Sequence, residues 1–251
     1  MSAPARRYVV VSPYYREPRE MLQRCIDSVR AQTVPTEHIL VADGHPQDWI
    51  DEQPVRHLRL DRSHGPFGNT PRGLGCLLAA SERCDGIALL DADNWLEADH
   101  VATCVAAARA MPRGICDYVI ARRRLRRPDG SLLPAPDEPV AEHVDTSCFF
   151  LLRGAFHTLA TWALMPEAAG SVCDRLFYQS LRQRGLVAAV TGRPTVNYLC
   201  RYESVYRALG EEPPPDAKPN IDAGAFLAWL RRLSDRDLEI ESRLLGAPLR
   251  R

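Results

Sequence analysis

Two aspartates stand one residue apart at the end of an apolar run, Ile87-Ala88-Leu89-Leu90-Asp91-Ala92-Asp93. Carboxylate oxygens are preferred ligands of hard divalent cations such as Mg²⁺ and Mn²⁺, and a pair in this position leaves coordination sites open for phosphate oxygens. A cation held there would neutralise a diphosphate and stabilise it as a leaving group. The same residues fit a plainer role, with Asp93 or Asn94 capping the next helix and Asp91 a solvated strand end. The short motif alone does not separate the two.

Three further places carry polar groups suited to the same ligand. Asp43, before Gly44, can accept from a nucleobase imide N–H or a ribose hydroxyl; it can equally be half of an Asp-Gly turn. Tyr14 and Glu17 can stack on or bond to a base, or be an exposed aromatic and an acid near a helix N-terminus. Asn69 and Arg72 stand where a helix begins, and that end favours anions such as a diphosphate. Arg72 as a surface arginine is the alternative.

The elements that must hold these residues are legible as periodicity. Residues 7–12 read as a buried strand ended by Pro13. A helix follows, with Pro18 in its first turn and Met21, Leu22, Cys25, Ile26 and Val29 at helical spacing. Strands are expected over 38–43, 55–60 and 86–91, and helices over about 71–81 and 97–111. Strand–helix alternation over the first ~110 residues implies an α/β fold with a mostly parallel sheet flanked by helices. Right-handed crossovers would bring the strand C-termini, and with them Tyr14, Asp43 and Asp91, to one edge. The second half reads as less regular: a strand over 117–127 with a Pro128-Asp129-Gly130 turn that predicts a hairpin, a strand over 146–152, and helices at about 153–163 and 171–184. Short β pieces at 187–191 and 195–200, a proline-rich linker over 211–219 and a helix over about 221–233, broken before Leu238, complete the pattern.

Composition bounds the function. The 251 residues carry 32 Lys+Arg and 32 Asp+Glu, so the whole-chain charge supplies no argument for nucleic acid or an anionic membrane. No apolar run reaches bilayer length, and no signal peptide is expected, which points to a cytoplasmic protein that can still touch a membrane peripherally. The eight cysteines form no C-x-x-C pair and read as small buried hydrophobes in a reducing compartment. The basic run Arg122-Arg123-Arg124-Leu125-Arg126-Arg127 alternates faces on a strand and lacks interleaved aromatics, so an exposed hairpin is expected rather than a nucleic-acid surface.

Four segments in order resemble family 2 glycosyltransferases of the GT-A fold. Val9-Val10-Val11-Ser12-Pro13-Tyr14 is similar to the family's first strand and its Pro-x-aromatic step, and Ser28-Val29-Arg30-Ala31-Gln32 to the end of its first helix. His38-Ile39-Leu40-Val41-Ala42-Asp43-Gly44 looks like the strand ending in Asp-Gly. Pro71-Arg72-Gly73-Leu74-Gly75 resembles the Ala-Arg-Asn-x-Gly helix, with glycine at 73 where asparagine is usual. Asp91-Ala92-Asp93 resembles the Asp-x-Asp metal motif. The resemblance covers about residues 7–110 well and the remainder loosely.

That resemblance implies a Rossmann-like GT-A domain with a donor half over 1–112 and a smaller, irregular acceptor half with a C-terminal helix over 113–251. It implies inverting transfer of a sugar from a nucleoside-diphosphate sugar, with UDP the expected nucleotide, to a carbohydrate, lipid-linked or small-molecule acceptor. Pro13, Tyr14 and Glu17 would line the nucleotide pocket, Asp43 would bind the base, Asp91 would face the ribose or sugar, and Asp93 would ligate Mn²⁺ or Mg²⁺, with Asp91 beside it. Asp174, in Val172-Cys173-Asp174, falls where the family often carries its base, with cysteine replacing glutamate. Asp145 is a second base candidate, His143 a weaker metal-ligand candidate, and Arg201 or Tyr202 a contact to the diphosphate. Alternatives are a nucleotidyltransferase, which would need a glycine-rich phosphate loop after the first strand, and a degenerate sugar-nucleotide-binding or scaffold protein, suggested by Gly73 and Cys173.

Overall fold

The computed structural model describes residues 6–136, 139–219 and 222–251. Eight strands form one sheet in the order β3-β2-β1-β4-β7-β6-β8-β5. They are β1 (Tyr8–Tyr14), β2 (Thr36–Ala42), β3 (Arg56–Arg59), β4 (Gly86–Leu89), β5 (Trp95–Leu96), β6 (Tyr118–Arg126), β7 (Phe149–Leu152) and β8 (Ala188–Leu199). β1 pairs in parallel with β2 and β4, β2 with β3, and β6 with β8; β7 and β5 run antiparallel to their neighbours. Six strands therefore share one direction. The helices are α1 (Arg19–Arg30), α2 (Asn69–Ser81), α3 (His100–Arg109), α4 (Ala160–Leu164), α5 (Cys173–Gln183), α6 (Glu203–Ala208), α7 (Gly224–Arg232) and α8 (Asp235–Leu245).

β1 is buried along its whole length, as a central parallel strand covered on both faces must be. Gly75 brings α2 onto that sheet: a Cβ there would lie 2.6 Å from Val11 Cγ1 and 2.9 Å from Val41 Cγ2. Gln32 fixes the end of α1, its amide donating to Ser28 and Glu97 carbonyls and accepting from Val101 N. One core runs from β1 and β4 across β7 and β6 to α4 and α5. Seven cysteines are buried, Cys116 is partly so, and all are free.

Several expectations shift. The two β pieces expected at 187–191 and 195–200 are one strand. Pro194 cannot donate to the ladder, and the register against β6 slips around Arg122 there. Thr191 Oγ1 takes the Arg122 N–H at 3.1 Å, so the strand continues through a bulge instead of ending. The helix expected over 153–163 is a 3₁₀ segment, Arg153–Thr158, followed by the short α4. The helix expected over 221–233 is α7, which begins at Gly224, and α8 follows it as a separate helix from Asp235; the expected start at Ile221 lies outside the described residues. The chain does turn back at Pro128-Asp129-Gly130, with Arg126 bridged antiparallel to Leu132 and Arg127 N donating to the Ser131 carbonyl, but most of the arginine run itself is not left exposed. Its main pairing is with β8, and Arg123 is turned inward, while Arg124 and Arg126 reach Glu97. None of the described helices is long and apolar enough to cross a membrane.

Candidate active site

The parallel strands deliver their C-terminal ends to one edge, and antiparallel β7 delivers its beginning there. Tyr14, Asp43, Asp91, the Asp145–Ser147 turn and Arg201 all meet at that edge.

Asp91 is the hub. Its backbone N–H donates to Ser147 Oγ at 3.1 Å, and Asn94 Nδ2 donates to the same oxygen at 3.0 Å. Asn94 Oδ1 accepts from Leu199 N at 2.9 Å, which ties the acidic turn to the end of β8. Arg72 Nη2 donates to Asp91 Oδ1 at 2.6 Å. Arg72 Nη1 donates to Asn69 Oδ1 and to the Phe67 carbonyl, and the guanidinium lies 4.7 Å from the centre of the Trp162 ring. Arg72 is thus a buried, fully oriented cation at the start of α2, not a surface arginine.

Asp93 differs in kind. Among the described residues its carboxylate accepts no hydrogen bond, although Arg24 holds its backbone carbonyl while stacking on Trp95. Burial, reinforced by the charge of Asp91, pushes the Asp93 carboxyl up to about 7; the charges of Arg201 and Lys218 oppose this. Arg201 leans on Asp216, and the Lys218 N–H donates to the Arg201 carbonyl, so the 211–218 segment returns to the site.

The nucleotide-side residues sort by exposure. Pro13 is buried against Gly68. The Tyr14 ring packs among Leu22, Ile26, Leu40 and Ile50, with its hydroxyl 2.8 Å from His57 Nε2. The exposed aromatic is Tyr15, edge-on to His45 and covered by Arg16; with Gly44, Pro46 and Gln47 they line an open pocket of about 420 Å³. Glu17 accepts from Tyr15 N. Asp43 is buried, its oxygens engaged by Ser63 Oγ, His64 N and His64 Nδ1. Gly44 (φ +77°) permits this approach, since a Cβ there would lie 2.4 Å from Ser63 N. Tyr15 carries no signal that separates it from Tyr14 except alternation: along a strand, neighbours face opposite sides.

Beyond Asp91 opens a cleft of about 580 Å³ whose lining includes Arg123, His143, Asp145, Asp174, Tyr198 and Tyr202. Asp145 accepts from Ser147 N at 3.0 Å and pairs with Arg123 at 3.0 Å. Burial raises its carboxyl, Arg123 opposes the rise, and the charges of Asp91 and Asp174 add to it. Asp145 is therefore within electrostatic reach of both Asp91 and Asp174. Asp174, in the first turn of α5, has Oδ2 2.6 Å from His143 Nε2 and accepts from Arg175 N on Oδ1. Sequence reasoning did not reach Ser147, Arg24, Lys218 or Tyr198 as parts of this site. Lys218 had one available signal, being the only lysine in the chain.

The model of glycosyl transferase family 2 matches residues 9–154. S. aureus TarS 1-349 in complex with UDP-GlcNAc is similar over 95% of this chain and 71% of that one, at 13% identity and a TM-score of 0.56. The same protein in complex with UDP matches 95% of this chain and 70% of its own, at 13% identity and a TM-score of 0.54. A longer TarS crystal structure is matched over 81% of this chain and only 38% of its own length, at 13% identity and a TM-score of 0.52. At this identity the likeness establishes a shared fold. No curated protein matches the chain.

Proposed function

The chain belongs to glycosyl transferase family 2, and we propose that it transfers a sugar from a uridine-diphosphate sugar to an acceptor hydroxyl, with inversion at the anomeric carbon. The observation that carries this reading is the grouping of four aspartates: Asp91, at the end of β4, acts on both Asp93 and Asp145, and Asp174, from α5, acts on Asp145 and lines the same cleft. The donor falls mainly to 1–112, with Arg201 and Lys218 reaching it from 113–251, the part that otherwise supplies the acceptor side. The UDP and UDP-GlcNAc complexes of the S. aureus fold relative favour uridine.

The residues fit a divalent cation. The described residues contain no group of three His, Cys, Asp or Glu able to enclose a metal. One or two carboxylates completed by substrate phosphates is the usual Mg²⁺ arrangement. Asp91 is already partly neutralised by Arg72, whereas Asp93 has no such partner among the described residues, and burial first and the charge of Asp91 second raise its proton affinity. Asp93 would hold Mn²⁺ or Mg²⁺, with Asp91 beside it. The bound ion would neutralise the departing diphosphate. Arg201 and Lys218 add positive charge on the same side.

Asp174 is the base that takes the proton from the acceptor hydroxyl as oxygen attacks. Asp145 is locked to a permanent cation, Arg123, and shapes the cleft floor. Asp174 is held instead by His143, an imidazole that can rebalance charge as the carboxylate gains a proton. The glycine and cysteine that suggested a degenerate protein have packing causes. Gly73 admits Ala163 of α4, and Cys173 is buried against the core.

The test is calorimetric titration of UDP with and without Mn²⁺, followed by release of UDP from UDP-sugars in the presence of candidate acceptors. Metal-dependent UDP binding and acceptor-stimulated release support the reading. Binding of nucleoside triphosphates in preference to UDP would favour a nucleotidyltransferase.

A further inference from the structure

We infer that the acceptor is an uncharged amphipathic molecule, a hydroxyl group carried on an alkyl or aryl body, rather than an anionic polyol or sugar phosphate. The inference rests on the functional reading above only for the word acceptor; the chemistry of the cleft stands on its own walls.

One wall is polar and faces the donor side: His143, Asp145 and Asp174, with Tyr198 and Tyr202 beside them. The other wall is apolar. α6 follows β8 immediately and sets Val205, Ala208 and Leu209 on one face at helical spacing. Leu125 from β6 and Ala135 from the segment after the turn extend that face. These side chains belong to a small satellite core. Leu125, Leu133, Cys200 and Tyr206 are buried in it, but Ala135, Tyr198, Tyr202, Val205 and Leu209 are only partly covered. A satellite core left open along the side that faces a cleft of about 580 Å³, within the usual range of small-molecule sites, is completed by an apolar ligand.

Charge decides against the anionic alternative. Among the described lining residues two arginines stand against two aspartates. Arg123 is spent on Asp145 at 3.0 Å and lies 4.7 Å over the Tyr198 ring. Arg175 sits exposed at the rim, and His143 is bonded to Asp174. Arg201 is paired with Asp216 on the donor side. A phosphate or carboxylate entering past the rim would meet Asp145 and Asp174 with Arg123 already engaged, and the one other lining arginine, Arg175, is exposed where solvent screens its charge. A neutral body meets neither cost, and its hydroxyl falls to the carboxylate end, where two carboxylates and His143 outweigh the single Ser204 hydroxyl on the α6 side.

The experiment compares three probes by saturation-transfer NMR and calorimetry on the whole chain: hexyl β-D-glucoside, glucose and glucose 6-phosphate. UDP is titrated separately as a report on the donor side. Hexyl glucoside should bind at least tenfold more tightly than glucose, and glucose 6-phosphate more weakly than glucose. Leu209→Gln and Val205→Asn should each remove most of the hexyl advantage while UDP binding, and hence the fold, is retained. Tighter binding of glucose 6-phosphate, or no hexyl advantage in protein that binds UDP, overturns the inference and leaves the functional reading standing. A hexyl advantage in protein that binds no UDP upholds the cleft chemistry and overturns the functional reading instead.

Discussion

Arg72 Nη2 stands 2.6 Å from Asp91 Oδ1, and the guanidinium plane is backed by Trp162 and anchored by Asn69. Arg72 is 3% exposed and Asp91 30%, so the pair sits at the boundary between core and site. Replacing Arg72 by methionine leaves Asp91 uncompensated but reachable by water. Chemical denaturation should therefore register a loss below the ~3–5 kcal/mol typical of breaking a fully buried pair. UDP affinity should fall as well, because Asp91 loses its orientation. An Arg72→Met protein with native UDP affinity would separate Asp91 from donor binding.

Asp174 and Asp145 make different predictions. Asp174→Asn keeps shape and one acceptor oxygen but cannot accept a proton. It should bind UDP normally and lose transfer by about 10²–10⁴-fold, the usual contribution of a general base. Asp145→Asn should lower stability by weakening the buried pair with Arg123 and cost less activity. Wild-type turnover in Asp174→Asn would move the base to Asp145.

Lys218 offers a chemical test because it is the chain's single lysine and is exposed. If it approaches the diphosphate, UDP with Mn²⁺ should protect it from acylation by an N-hydroxysuccinimide ester, read by peptide mass spectrometry. Lys218→Met should weaken UDP binding roughly tenfold, about 1.5 kcal/mol for a charge-assisted hydrogen bond. Equal labelling with and without UDP would remove Lys218 from the donor site. Asp93→Asn should abolish the Mn²⁺ dependence of the same protection.

The first half of the fold was readable because parallel strands between helices leave long apolar runs with abrupt polar ends. Those ends placed Asp43, Asp91 and Tyr14 on one edge without coordinates. Side-chain direction was not readable. Tyr14 and Tyr15 are indistinguishable by type, yet one fills the core beside Leu22 and the other stands in solvent. The bulge at Arg122 hid β8, since Gly192-Arg193-Pro194 has the composition of a turn and only Thr191 keeps the strand continuous. The pairing of Arg123 with Asp145, 22 residues on, depends on a β6–β7 register that no local pattern encodes.

Gly73 stands where the family's helix usually has asparagine, and the packing explains it. A Cβ at 73 would lie 2.6 Å from Ala163 N and 2.8 Å from Ala163 Cβ. The first of these is backbone, so α4 would have to move. Gly73→Asn should therefore destabilise the protein by about 1–3 kcal/mol, the usual cost of overpacking. The melting temperature should drop by roughly 2–4 °C per kcal/mol in a chain of this size. A neutral or stabilising Gly73→Asn would mean that α4 sits further from α2 than described.

Two buried histidines govern the acid side of stability. Burial holds His38 down to about 3 and His100 down to about 4; their rings contact Ser12 Oγ and Thr195 Oγ1 at 2.9 Å. In the unfolded chain both titrate near 6.5, so below that pH the unfolded state binds more protons and stability falls as pH falls. Their contribution is complete above pH 6.5 and is lost progressively as pH drops through the folded values. At pH 5 each histidine should have removed roughly 2 kcal/mol relative to pH 8. The raised carboxyls of Asp93 and Asp145 act in the opposite sense, so the informative quantity is a difference. Urea unfolding of wild type and His100→Gln at pH 8 and pH 5 should show the wild type losing about 2 kcal/mol more than the variant. Parallel losses would mean that His100 is protonated in the folded protein at pH 5, against its enclosure by Thr195 and Cys104.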